Sequence, residues 1–301
     1  MIYSLISEIV RTTREQEAAL GLSGETSRTR FFLHTHPTQK VILFFHGFTA
    51  VPQQFVPIAE AFFQAGYNVL VPLLPGHGLA GDWNQDNPPP LPEDISIYQA
   101  FAIEWLQYAQ QVGETVVVGG LSAGGTLAAW LALEYSRSIN RALLFSPYFS
   151  NTNPVADWAV QTFDIYFEWK TEPGAVNFGY PGFAMPALRI FLDFGQAILQ
   201  EAETATVPPL LIVTSERDRA INRQDLEKLF YLALQSQPRC WYLCFDQKLN
   251  IQHNMMTKAE GNEHQELVIA IAKAFVNRDL TWTEAIPLVQ ATAQGEAADN
   301  K

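Results

Sequence analysis

Cysteine is nearly absent: the 301 residues hold two, Cys240 and Cys244. Two thiols four residues apart on one strand-like segment, with no further ligands nearby, make neither a disulfide framework nor a metal site. Both are expected to be small buried apolar residues. Positive charge is also scarce, with 19 Lys and Arg against 31 Asp and Glu and a net charge of −12. There is no long basic run, so nucleic acid and anionic membrane surfaces are poor partners. No stretch approaches the ~18 apolar residues of a membrane span, so stable membrane insertion is not expected. The opening MIYSLISEIVRTTREQEAAL has helical apolar spacing broken by Glu8 and Arg11, unlike a secretory signal. The expectation is a cytoplasmic protein.

Hydrophobic residues make up 48% of the chain and charged residues 17%, enough apolar material for a large core. Seven segments rich in Val, Ile, Leu and Phe read as strands: 30–34, 40–45, 68–73, 115–119, 141–145, 209–213 and 240–245. Several are continuously apolar, as strands covered on both faces must be. Helical stripes lie between them, at Phe55 to Phe63, Ile97 to Tyr108, Thr126 to Tyr135, Arg223 to Leu234 and Gln265 to Val276. Strands alternating with helices predict an α/β fold with a doubly wound, mainly parallel sheet, the first one or two strands being candidates to run antiparallel.

Residues 150–207 interrupt this rhythm. They carry no strand signal but ten aromatic residues, Trp158, Trp169, Tyr180, Phe183 and Phe191 among them. So apolar a segment cannot be a solvated loop. It is expected to form a helical cap over the carboxyl end of the sheet, where such folds bind ligands. The division that follows is an N-terminal helical extension (1–29), a core (30–149 and 208–278), the cap (150–207) and a C-terminal tail (279–301) that frays after Pro287.

Gly120-Leu121-Ser122-Ala123-Gly124 lies between the strand Val116-Val117-Val118 and a helix. A G-x-S-x-G pattern in that context is a nucleophile elbow, with Ser122 lifted above the sheet on a strained turn. Gly120 and Gly124 let strand and helix approach without a side-chain clash. Gly21-Leu22-Ser23-Gly24 lacks the preceding strand and the closing glycine, and is set aside. A second strand ends in His46-Gly47-Phe48-Thr49. It places the Phe48 N–H where an acyl-transfer oxyanion would form, paired with the Ala123 N–H behind the nucleophile. His46 is expected to brace this loop, not to act as a base.

HGFT at 46–49, PLLPGHG at 72–78 and GLSAG at 120–124 together resemble the α/β-hydrolases of the carboxylesterase and monoacylglycerol-lipase group, from about Arg30 to Val276. The resemblance implies an α/β-hydrolase fold and a Ser–His–Asp triad cleaving a small-molecule carboxylic ester with an apolar acyl or alkyl group, without metal or cofactor. It makes His77 part of a structural loop. It also places the acid after the strand Leu210 to Val213, at Asp218, with Glu216 and Asp193 as rivals. The family often has a glycine where Ser215 stands. The base falls after the last strand, at His253, with His264 as competitor; His34 and His36 fit no role. Thioester hydrolysis and acyl transfer use the same triad. A catalytically silent binding protein on this fold is the reading from a different class.

Overall fold

The computed structural model describes residues 2–36, 38–171, 174–287 and 289–290. In chain order the strands are β1 (Arg30–Phe32), β2 (Lys40–Phe45), β3 (Asn68–Val71), β4 (Thr115–Leu121), β5 (Arg141–Phe145), β6 (Tyr166–Glu168), β7 (Gly182–Ala184), β8 (Leu210–Ser215) and β9 (Trp241–Phe245). Seven of them form one sheet in the order β1-β3-β2-β4-β5-β8-β9. Only β1 runs antiparallel to its neighbour; the other pairs are parallel.

The helices are α1 (Ile2–Ala18), α2 (Val56–Gln64), α3 (Ile95–Val112), α4 (Ala123–Glu134), α5 (Pro154–Thr162), α6 (Met185–Glu201), α7 (Arg223–Ser236) and α8 (Gln265–Asn277). They cover both faces of the sheet, and the pleat sorts the strand residues between them. Val41, Leu43 and Phe45 of β2 pack in the layer of α3, α4 and α6. Ile42 and Phe44 pack with α2 and α8. The apolar runs in the sequence are therefore continuous because each face of the strand is buried. Side-chain caps set three helix starts: Asp94 accepts from Ser96 N–H at α3, Asn153 from Ala156 N–H at α5, and Asn222 from Gln224 N–H at α7.

From β2 the chain first builds β3 on one side and then crosses to β4 on the other. This reversal of strand order opens a crevice between the carboxyl ends of β2 and β4, where open α/β sheets bind ligands.

The 150–207 insertion departs from expectation by containing strands. β6 and β7 pair antiparallel between α5 and α6. Three residues each are too few for a visible alternation. The insertion is bonded to loops at the carboxyl ends of the strands. Trp169 Nε1–H donates to Thr49 Oγ1 at 2.8 Å, and Tyr180 O–H to the Gly76 carbonyl at 2.8 Å. Val176 N–H donates to the Ala259 carbonyl at 2.7 Å.

Residues 6–29 pack on the core layer: Ile9 is buried there, and Glu17 accepts from Thr29 N–H at 2.7 Å. Gly21-Leu22-Ser23-Gly24 pairs with the 78–80 loop through Ser23 N–H to the Gly78 carbonyl. The expected tail at 279–301 is also anchored at its start. Asp279 pairs with Arg141 and Arg239, and Ala285 is buried. Fraying was expected after Pro287; Val289 is buried, while residue 288 and residues 291–301 lie outside the described residues. Cys244 corrects another expectation: it is only half-buried, with Arg223 Nη1 3.5 Å from its sulfur, because β9 is the edge strand. Among the described residues no helix is long and apolar enough to cross a membrane.

A side chain at Gly124 would put its Cβ 2.2 Å from the Phe45 carbonyl oxygen and 2.4 Å from that of His46. Gly124→Val should therefore destabilise the fold by about 2–3 kcal/mol or more, read as a lowered urea midpoint with an unchanged slope.

Candidate active site

Ser122 stands between the end of β4 and the start of α4, with φ 56° and ψ −124°. A non-glycine residue held in that region carries strain, which the surrounding hydrogen bonds must over-determine. Here Ser122 N–H donates to the Phe145 carbonyl at 3.0 Å, and its own carbonyl accepts from Thr126 N–H at 2.9 Å. The tight approach behind it depends on Gly120, whose Cβ would fall 2.3 Å from the backbone of Gly124. Ser122 is half-buried, and Ala123 behind it is buried.

The loop after β2 is built around two buried imidazoles. His46 Nδ1–H donates to the Gly47 carbonyl at 2.9 Å, while Nε2 accepts from Leu74 N–H at 3.0 Å. His77 repeats the arrangement, donating from Nδ1 to the Pro75 carbonyl and accepting Thr49 N–H at Nε2 at 3.1 Å. Because a backbone N–H can only donate, each Nε2 must be unprotonated. Burial holds His46 well below the ordinary imidazole pKa and lowers His77 to about 4. Neither ring is free to move protons. Between them Thr49 takes a positive φ of 64°. Phe48 N–H and Ala123 N–H have no hydrogen-bond acceptor among the described residues. Two free amides beside the elbow are suited to receive an oxyanion.

Asp218 lies in the turn after β8 and His253 in the loop after β9. His253 Nδ1 is 2.8 Å from Asp218 Oδ2. The Asp218 side chain is 0% exposed and that of His253 is 21% exposed. Asp218 Oδ1 also accepts from Ala220 N–H at 2.9 Å. Burial pushes the Asp218 carboxyl up, but the His253 ring and hydrogen bonds from His253, Ser146 and Ala220 outweigh it and hold the pKa below its ordinary value. His253 is opposed in the same way: burial disfavours its cation, and the Asp218 charge and hydrogen bond, with a smaller contribution from Glu260, raise its pKa overall. The pair thus orients the ring and stabilises its charged form, the two functions an orienting acid supplies to a general base.

The rival residues are elsewhere engaged. Glu216 is exposed and accepts from Gln247 N–H, and Asp193 is exposed on α6, accepting from Gln161. His264 precedes α8, its N–H bonded to Asn262 Oδ1. His34 stacks on Phe63 and lies 5.0 Å from His36, ring to ring.

The sequence reading missed a buried polar group beside the site. The stretch around Glu260 reads as solvated, yet Glu260 is 7% and Asn262 1% exposed. Glu260 closes a single turn that folds back on Thr257 before α8 begins, near enough to His253 to help raise its pKa. The local pattern of polar residues carries no signal of that return.

The frame is that of an α/β-hydrolase, and the comparisons agree on the family. A model of the alpha/beta hydrolase family matches residues 42–254, well over half of the chain, and the chain belongs to that family. A thermostable monoacylglycerol lipase of Bacillus sp. (strain H-257) is 38% identical over 91 residues, covering 30% of this chain. The match spans about a third, 34%, of that relative's length. Among solved structures, one from work on the metagenome-derived lipolytic enzymes LipS and LipT superposes with a TM-score of 0.66 at 19% identity, covering 84% of this chain and 98% of that one. The monoacylglycerol lipase of Paleococcus ferrophilus gives 0.62 at 14% identity, covering 83% and 98%. A monoglyceride lipase of Saccharomyces cerevisiae gives 0.62 at 12% identity, covering 82% and 90%. At these identities the solved structures share the fold.

The opposed environments of the histidines can be read by NMR titration. His253 should titrate above the free-imidazole value of about 6.5, because its partner favours the cation. Asp218→Asn should bring that midpoint down, and His46 and His77 should remain neutral throughout the range in which the fold persists.

Proposed function

We propose that this chain is a serine hydrolase of carboxylic esters, with Ser122 as nucleophile, His253 as general base and acid, and Asp218 as the orienting acid. The observation that carries the reading is the 2.8 Å hydrogen bond from His253 to a fully buried Asp218, in a chain whose elbow serine follows the central strand β4.

The reaction follows from these roles. His253 Nε2 takes the Ser122 proton as Oγ attacks the ester carbonyl, and the C–O π pair becomes an oxyanion. Phe48 and Ala123 N–H groups bind that oxyanion, each such donor typically lowering the barrier by about 3 kcal/mol. Collapse expels the alcohol, which receives the proton from His253 and leaves an acyl-Ser122. Water, deprotonated by His253, repeats the addition, and collapse then releases the acid and regenerates Ser122. Asp218 stays ionised and stabilises the imidazolium in both halves, consistent with its depressed pKa.

An apolar acyl or alkyl group fits the surroundings of the oxyanion loop. The Phe48 ring lies 5.0 Å from Phe183 and 5.6 Å from Phe191, both contributed by the insertion and both buried. The insertion thus serves as a cap whose aromatic underside meets the reacting carbonyl. The 91-residue likeness to a monoacylglycerol lipase supports the same class of substrate.

A p-nitrophenyl ester series from acetate to palmitate tests this reading. Turnover should peak at short to medium acyl length, and Ser122→Ala should lower kcat by roughly 10⁵–10⁶-fold with KM little changed. Equal turnover by the variant would overturn the assignment.

A further inference from the structure

A continuous line of buried hydrogen bonds joins the oxyanion loop to the loop that carries His253. Gly47 N–H donates to Gln54 Oε1 at 2.8 Å. Gln54 Nε2–H then donates to Glu260 Oε1 at 2.7 Å. The other carboxyl oxygen of Glu260 receives the Thr257 hydroxyl at 3.0 Å, and Glu260 N–H returns to Thr257 Oγ1 at 3.1 Å. Gln54, Thr257 and Glu260 are all buried. Gln54 and Glu260 stand 206 positions apart in sequence, so the line is a tertiary tie.

The tie ends on the peptide that matters for an oxyanion. The Phe48 N–H belongs to the same planar peptide as the Gly47 carbonyl, which accepts from His46 Nδ1–H at 2.9 Å and from Ala50 N–H at 3.1 Å. With Gly47 N–H held by Gln54, both polar groups of Gly47 are anchored, and the direction of the Phe48 N–H is set. At the other end, Thr257 and Glu260 follow His253 in a short loop. Asn262 Nδ2–H braces that loop on the Met255 carbonyl at 2.6 Å, and Met255 N–H closes on the His253 carbonyl at 2.9 Å.

Glu260 makes no ion pair among the described residues; its two direct side-chain partners are the neutral Gln54 and Thr257. A buried carboxyl with no cation in hydrogen-bond contact contributes poorly to stability, and the His253 charge offsets its burial only in small part, so its place here calls for another explanation. Resting on the ester-hydrolase reading, we propose that Glu260 is a positioning residue: through Gln54 it fixes the Gly47–Phe48 peptide relative to the His253 loop, so that oxyanion donor and general base keep one mutual placement. Burial raises the Glu260 carboxyl to about 7, so the site tolerates the neutral acid, and a glutamine can reproduce its hydrogen bonds. The Gln Oε1 would accept from Gln54, and its Nε2–H would donate to Thr257 Oγ1.

The test uses Glu260→Leu, Glu260→Gln, Gln54→Leu and the Glu260→Leu/Gln54→Leu double variant. Each is assayed for kcat and KM on a p-nitrophenyl ester and for affinity to an apolar trifluoromethyl ketone, which forms the tetrahedral adduct. Glu260→Leu should lose about 10- to 100-fold in kcat and in ketone affinity, with KM within about threefold of wild type, because misplacing an oxyanion donor weakens only the transition-state complex. Glu260→Gln should recover to within about threefold of wild type, and the double variant should be no worse than the poorer single one, since both cut the same line. If Glu260→Leu does not fold, Gln54→Leu carries the same expectation. A folded Glu260→Leu with kcat within twofold of wild type would overturn the proposal. So would losses that multiply in the double variant, or a Glu260→Gln as impaired as Glu260→Leu. If the wild type neither turns over esters nor binds the ketone, the hydrolase reading falls and the proposal with it; an active wild type beside an unimpaired Glu260→Leu removes the proposal alone.

Discussion

The first turn of α4 lies against the carbonyl oxygens of Phe45 and His46, closer than any side chain at Gly124 would permit. That approach sets the distance between the elbow after β4 and the loop after β2, and with it the spacing of Ala123 N–H from Phe48 N–H. Gly120 allows the matching approach of strand to helix on the other side of the turn. Three non-glycine residues take positive φ values just past the carboxyl ends of neighbouring strands: Thr49 after β2, Ser122 after β4 and Ser146 after β5. Such conformations cost about 1–3 kcal/mol each and persist where the surroundings leave no alternative. Here they cluster at the crevice made by the reversal of strand order. The strained backbone and the free amides therefore share one cause, the crowding of three strand ends around one crevice.

The electrostatics at the crevice are divided between rings of one chemical type. His46 and His77 are buried and His253 is partly so, and of the three only His253 meets a carboxylate. The first two bond backbone groups at both nitrogens and are held neutral by burial. They act as rigid spacers that set the oxyanion loop on the 72–79 loop. His253 is held in the opposite sense, with its cation favoured, and so can exist in both protonation states near neutral pH. The insertion adds a third constraint. Its bonds to Thr49, Gly76 and Ala259 attach it to the oxyanion loop, to the loop after β3 and to the turn following His253. An aromatic surface is thereby held beside the polar groups of the crevice.

Much of this was legible in the chain. The seven sheet strands and their order of helices follow from apolar runs long enough to show burial on both faces, and the elbow and HGF motifs are local patterns with local causes. What escaped reading has a common physical origin. β6 and β7 are three residues each, too short to alternate. The exposure of Cys244 depends on β9 lying at the sheet edge, a property of strand order that no single segment encodes. Residues 279–285 read as a tail because their anchors, Arg141, Arg239 and Trp241, are distant in sequence. The Gln54–Glu260 bond is the extreme case, since a polar stretch that looks solvated becomes buried only when its partner arrives from the far side of the fold. Asp218 and His253 were named from the resemblance, with Glu216, Asp193 and His264 as rivals, and the 2.8 Å bond that joins the two becomes visible only in the fold.

Under the proposed function Ser122 differs from every other serine of the chain in being activated by His253. Incubation with a fluorophosphonate followed by peptide mapping addresses this directly, because the reagent reacts with a serine activated in this way and stays attached. The account predicts about one adduct per chain, carried by Ser122 and abolished when His253 is replaced. A folded chain that takes no adduct, or takes it on another residue such as Ser23, would contradict it.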